Sequence, residues 1–149
     1  ITKHGPIGAF IHLNPQFSPE KPGYISYSEA EKAIIKQVFL MAKHLKTTLN
    51  NAALLAGRTS FCTVAHLDGK FGLGHETNFS AIAAGLFGLT KSLRWEWPQV
   101  FFRAIDLNPS LDPYESAQYI VAELHDSNRY IGEVGYGNEG RVTLVAKAE

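Results

Sequence analysis

Residues 78–98 read N-F-S-A-I-A-A-G-L-F-G-L-T-K-S-L-R-W-E-W-P. Phe79, Ile82, Leu86, Leu89 and Leu93 recur three or four positions apart, which puts them along one face of a helix. Pro98 has no amide proton to continue it, so the helix ends there. The next segment, V-F-F-R-A-I-D-L over Val100–Leu107, is strand-like. A helix that hands over directly to such a strand is the repeating unit of a layered α/β fold.

The same alternation extends in both directions. Upstream, Gly8–Leu13 (G-A-F-I-H-L) is a short apolar run closed by Asn14-Pro15, and it reads as a strand buried on both faces. A Pro/Gly/Ser-rich loop, Pro15–Ser26, separates it from Ser28-Glu29-Ala30-Glu31, a capping box in which serine and glutamate each satisfy an orphan amide. Ile34, Ile35, Val38, Phe39, Ala42 and Leu45 then mark a long amphipathic helix with Gly57 as its stop. Thr59–Ala65 is the second strand, ended by the turn-like Asp68-Gly69. Downstream, Asp112-Pro113 with Glu115 opens a helix whose apolar face is Ala117, Ile120, Val121 and Leu124. Tyr130–Val134 and Arg141–Val145 read as two last strands across a Gly135–Asn138 turn. The order calls for one α/β domain over residues 1–149, with a mainly parallel sheet of four to five strands, right-handed crossovers and helices on both faces.

Composition narrows the function classes. With 149 residues and 45% hydrophobic content, one respectable core can be buried. Lys+Arg and Asp+Glu both number 14, which leaves no net charge to draw nucleic acid or an anionic membrane. No apolar run approaches the roughly 20 residues that cross a bilayer. The single cysteine, Cys62, sits in S-F-C-T-V-A and reads as a small buried thiol; with no disulfide partner, a reducing cytoplasm is the expectation. The first residue is Ile1, which suggests a piece of a longer polypeptide.

Three groups of residues carry a family resemblance: H-G-P-I-G-A-F-I-H-L-N-P, A-H-L-D-G-K-F-G-L-G, and G-L-F-G-L-T-K-S-L-R-W-E-W-P-Q-V with E-V-G-Y near the end. With these the chain resembles the second half of a short-chain dehydrogenase, and more narrowly the ketoreductase-type domains of polyketide and polyunsaturated fatty acid synthases. The resemblance implies a Rossmann-like, three-layer fold. For the parent it implies NADPH-dependent reduction of β-ketoacyl groups on an acyl carrier protein, among neighbouring synthase domains.

The resemblance also places the family's site, and there the chemistry is missing. The family's catalytic tyrosine falls at Phe79 and the lysine four residues on at Ala83. A phenyl ring has no proton to give a carbonyl, and a methyl group holds no ribose hydroxyl. The family's serine falls near His66 or Leu67. Polyketide-type ketoreductases draw their lysine from the preceding helix, where Lys43 is close to the matching position. Dinucleotide binding needs a glycine-rich turn that opens a helix. Gly69-Lys70-Phe71-Gly72-Leu73-Gly74 has the glycines but not the G-x-G-x-x-G order, so no cofactor-binding residue is assigned.

Other chemistries fare no better. His4, His12, His44, His66, His75 and His125 show no zinc spacing, so no metal site is expected. Ser80 lacks the nucleophile-elbow context. Trp95 and Trp97 read as packing against the sheet. The reading is a catalytically silent, ketoreductase-like segment that acts as structural partner of a synthase's reductase region, either as a homodimer or with a partner segment covering the first strand's edge. Two rivals stand beside it: an active NADPH-dependent reductase whose cofactor half lies upstream, with Lys43 in its site, and a free-standing α/β interaction domain.

Overall fold

A computed structural model describes residues 5–17, 28–74 and 79–146. Most of the loop read at Pro15–Ser26, together with His4, His75 and Asn78, lies outside the described residues. The elements are β1 (Ala9–Leu13), α1 (Glu29–Ala56), β2 (Ser60–Ala65), a 3₁₀ turn (Ala81–Ala84), α2 (Gly85–Glu96), β3 (Phe101–Leu107), α3 (Pro113–His125), β4 (Glu133–Gly137) and β5 (Gly140–Val142). They form one sheet in the order β1-β2-β3-β4-β5. The first four strands are parallel and β5 is antiparallel to β4. This is the mainly parallel α/β sheet that the alternation called for.

The register divides the core into two layers. Phe61 and Phe102, side by side on β2 and β3, face Val38, Ala42, Leu45 and Leu49 of α1 and Leu86 and Leu93 of α2. On the opposite face Val64, Ile105, Leu107, Val134 and Tyr136 meet Tyr119 and Ile120 of α3. Helices therefore cover both faces. The capping box forms as read: Glu31 N–H donates to Ser28 Oγ at 3.2 Å, while Glu31 Oε2 accepts from Ser28 N at 2.8 Å. Asp112 caps α3 by accepting from the Tyr114 and Glu115 amides.

Several readings change. The stretch from Asn78 is not one helix: a 3₁₀ turn precedes α2, so Phe79 and Ala83 pack in a different cluster from Leu86 and Leu93. β1 is not buried on both faces, since Ile11 is 39% and Leu13 60% exposed. Gly135 and Gly137 lie within β4 rather than in a turn. The reason for Gly135 is close approach: a Cβ there would clash with the Gly69 carbonyl. Trp97 is buried but Trp95 is 85% exposed. Val121 and Phe39 are exposed, and the buried residue of α3 is Glu123.

Candidate functional site

In an open parallel sheet, ligands meet the protein outside the carboxyl ends of the strands. Here those ends carry Asn14 after β1, the loop His66–Gly74 after β2, Asn108 after β3 and Asn138 after β4. The loop turns back over β3 and β4. Asn108 Nδ2 donates to the Asp68 carbonyl at 3.0 Å, and Gly69 sits so close to Tyr136 and Gly135 that neither glycine has room for a Cβ.

Two carboxylates hold this loop from below. Asp106 Oδ1 accepts from the Leu67 amide and Oδ2 from the Phe71 amide, each at 2.8 Å. Asp68 Oδ1 accepts from Lys70 N and Gly72 N at 2.8 Å, and Oδ2 from Gly74 N at 2.7 Å. Leu73 N bonds the Lys70 carbonyl. Such convergence needs left-handed backbone, supplied by Gly69 at φ +73°, Gly72 at φ +78° and Phe71 at φ 62°. The loop is thus an anion cradle whose anions are the protein's own aspartates. Its amides are committed, so it does not fit a dinucleotide's pyrophosphate.

The pair is electrostatically uneven. Burial, with a contribution from Asp68, pushes the Asp106 carboxyl up to about 6 against the two amides it accepts from. Burial also acts to raise Asp68, but the amides of Gly72, Lys70 and Gly74 prevail and hold it below the ordinary value. Beside the loop lies a cavity of about 120 Å³ lined by Asp68, Lys70, Gly74, Asn108, Gly137, Asn138 and Glu139. It falls short of the roughly 300 Å³ at which small-molecule sites begin.

Two of the positions read from the resemblance, Phe79 and Ala83, share this end of the sheet with the loop. Phe79 and Ala83 belong to one apolar cluster with Ala65, Leu67, Phe71, Phe87 and Ala104. Gly72 lies under the Phe79 ring, where a Cβ would come within 3.1 Å of Cζ. Phe71 meets Phe87 edge to face, with centroids 6.1 Å apart. His66 is half-buried; burial holds its pKa down, the Asn14 backbone only partly offsets this, and Nδ1 has no well-aligned partner. Lys43 does not join them. It is exposed on α1 and lines a groove with Gln37, Leu40, Met41 and His44. Ser80 Oγ is buried beside Glu31, whose carboxyl stays below its ordinary value because Ser80 and Ser28 outweigh burial, although Ser80 makes no aligned hydrogen bond. Cys62 is buried and its thiol is pushed up to about 12 by burial, as an inert core residue. Among the described residues no His/Cys/Asp/Glu group is arranged to hold a metal, and no helix is long and apolar enough to cross a membrane.

The reading of the sequence missed a second polar centre. Arg103 of β3 is fully buried. Its Nε lies 2.8 Å from Glu123 Oε2, an ion pair too bent for a hydrogen bond, and Nη2 lies 2.7 Å from Asp126. Arg103 also donates to the carbonyls of Ile131 and Asn128. Arg141 of β5 closes the network at 2.6 Å from Glu123 and 3.0 Å from Asp126, and the Tyr136 hydroxyl donates to Glu123 at 2.5 Å. Each charge has partners, so the network ties β3, α3, β4 and β5 together as structural contacts.

The two core layers, the mainly parallel sheet and the loop folded back over its carboxyl end define a three-layer α/β fold. In sequence, the chain is similar to one of the subunits of the polyunsaturated fatty acid synthase of Thraustochytrium sp. (strain ATCC 26185 / S-3), at 31% identity over 121 residues. That match takes in 76% of this chain but 4% of the synthase polypeptide, so the chain corresponds to one small segment of a very long protein. Among solved structures it is similar to a short chain dehydrogenase/reductase family protein at 14% identity, with a TM-score of 0.49 over 78% of this chain and 50% of that one. No family model matches.

Proposed function

We propose that the chain is a ketoreductase-like, catalytically silent segment of a multienzyme of the polyunsaturated fatty acid synthase kind, serving as structural partner of the region that reduces β-ketoacyl groups. The observation that carries this is the pairing of Phe79 with Gly72. Where the resemblance puts the proton donor there is a phenyl ring, and it rests on a loop whose amides are taken by Asp68 and Asp106. NADPH and the acyl carrier protein then belong to the parent assembly, in a cytoplasmic setting. No step of hydride transfer is assigned to this chain.

The partner role is supported by β1. Gly8 and Asn14 both bond β2. The N–H and C=O of one strand residue leave on the same side, so Ala9, Ile11 and Leu13 direct theirs at the outer edge. No strand among the described residues pairs with it. Ile11 and Leu13 are exposed beside it, a combination that recruits another strand. A neighbouring segment of the synthase is the reading that fits a chain aligned to 4% of its relative; pairing with a second copy is the other.

The rival reading, an active reductase using Lys43, is disfavoured because Lys43 lines a separate groove on α1. Titration calorimetry with NADPH tests the proposal. The expected result is no measurable heat, and a dissociation constant below about 10 μM, roughly −7 kcal/mol, would overturn it.

A further inference from the structure

From Lys32 to Ala56, α1 carries Lys32, Lys36, Lys43, His44 and Lys46 and not one Asp or Glu. The chain as a whole has no net charge, so its charge is segregated. The carboxylates of α1 are confined to its first turn, Glu29 and Glu31, and those farther along the chain are engaged elsewhere: Glu123 and Asp126 with Arg103 and Arg141, Glu133 with Lys91 and Glu139 with Lys70. Lys32 has only the exposed pair with Glu29, and Lys46 a loose 3.7 Å contact with Glu96. Lys36 and Lys43 make no ion pair among the described residues.

This cationic helix also borders an apolar trough. Ile35 and Phe39 of α1, Ile82 of the 3₁₀ turn and Leu89 of α2 line a groove of about 490 Å³, with Lys32 and Lys36 at its rim. Phe39 is 52% exposed there. A large aromatic left half in water beside a one-sign rim marks a contact surface. Apolar floor plus basic rim is the complement of an amphipathic helix with carboxylates flanking its apolar stripe. A second copy meeting this face through a two-fold axis would set lysine against lysine.

We propose that the groove between α1 and α2 docks an acidic amphipathic helix of a partner protein, with Phe39 as apolar anchor and Lys32 and Lys36 as the rim that selects charge. This stands on α1, the 3₁₀ turn and α2 and does not depend on the silence of the site at the sheet's carboxyl end.

The probe is a synthetic helical peptide of about 15 residues with leucines at i, i+3, i+4 and i+7 flanked by glutamates, and a twin with lysines in their place. Binding to the full 149-residue chain is read by fluorescence anisotropy and by amide shift changes. Expected is binding of the acidic peptide at about 100 μM or tighter and at least about tenfold weaker binding of its twin. Lys32→Glu/Lys36→Glu should invert that preference, and Phe39→Asp should abolish binding of both peptides. Both variants change exposed side chains, and circular dichroism checks that they fold. Equal binding of the two peptides, no binding of the acidic one, or binding unmoved by either variant would overturn the proposal. So would a dimer in sedimentation that Phe39→Asp dissolves, since that would assign the groove to a second copy.

Discussion

The ring of Phe79 lies across Gly72 so closely that a Cβ on the glycine would stand 3.1 Å from Cζ. A side chain on the glycine would have to displace the ring edge. Gly72 is also in the left-handed region, at φ +78°, where a side chain is strained. Gly72→Ala is therefore expected to lower stability by about 1–2 kcal/mol. Gly88 is the counterexample: it is exposed inside α2 with open space at its Cβ position. Gly88→Ala should raise stability by about 0.5–1 kcal/mol, and urea unfolding of both variants checks the pair.

Gly69→Ala should be the costlier loop change. A Cβ there would overlap the Tyr136 carbonyl, and the obstruction is backbone that cannot swing aside. A loss of about 2–4 kcal/mol is expected. A variant as stable as the parent would mean that the loop does not pack on β4.

The Asp106 carboxyl, pushed up to about 6 by burial, makes stability depend on pH. Its folded pKa lies above the ordinary value of 3.8, so the folded state binds the proton more tightly. The associated stability is fully present below the unfolded pKa and is lost as pH rises through about 6. Relative to Asp106→Asn, the parent should lose on the order of 1–2 kcal/mol between about pH 4 and pH 7. Asp68, shifted the other way, acts below its ordinary value and leaves that window clear. Parallel stability profiles for parent and variant would contradict the assignment.

Glu123 joins Arg103, Arg141 and Tyr136 at 2% exposure. Removing it leaves a buried guanidinium with less than its share of negative charge. Glu123→Ala is expected to cost about 3–5 kcal/mol, measured by urea unfolding. A loss under about 1 kcal/mol would indicate that water reaches the pair.

Much of this fold was legible because helix periodicity, the Ser28 capping box and the Asp112-Pro113 start are local signals. Parallel strands announce themselves by apolar runs, and β2 and β3 are buried throughout. What stayed hidden is set by residues far apart in the chain. Nothing near Asp106 shows that its carboxylate will meet the Leu67 and Phe71 amides. Arg103 and Asp106 sit in an apolar run that reads as strand, and only the later placement of Glu123 and Arg141 explains the arginine. Gly135 looked like a turn because close backbone approach and a turn favour the same residue. A signal was available for the loop: an aspartate just before closely spaced glycines can accept from the amides that come after it, as Asp68 does.

Whether this chain keeps the fold of a reductase half without its chemistry is decided by restoring the family's residues as Phe79→Tyr/Ala83→Lys and recording NADPH oxidation in the presence of a β-ketoacyl thioester. General acid catalysis by a tyrosine is worth about 10² to 10⁴ in rate, but a hydride donor needs a seat, and the glycine-bearing loop at this end of the sheet offers none, its amides being bound to Asp68 and Asp106. Expected is no turnover above the protein-free rate for either the parent chain or the double variant; turnover by the variant with added NADPH would contradict the silent-segment reading.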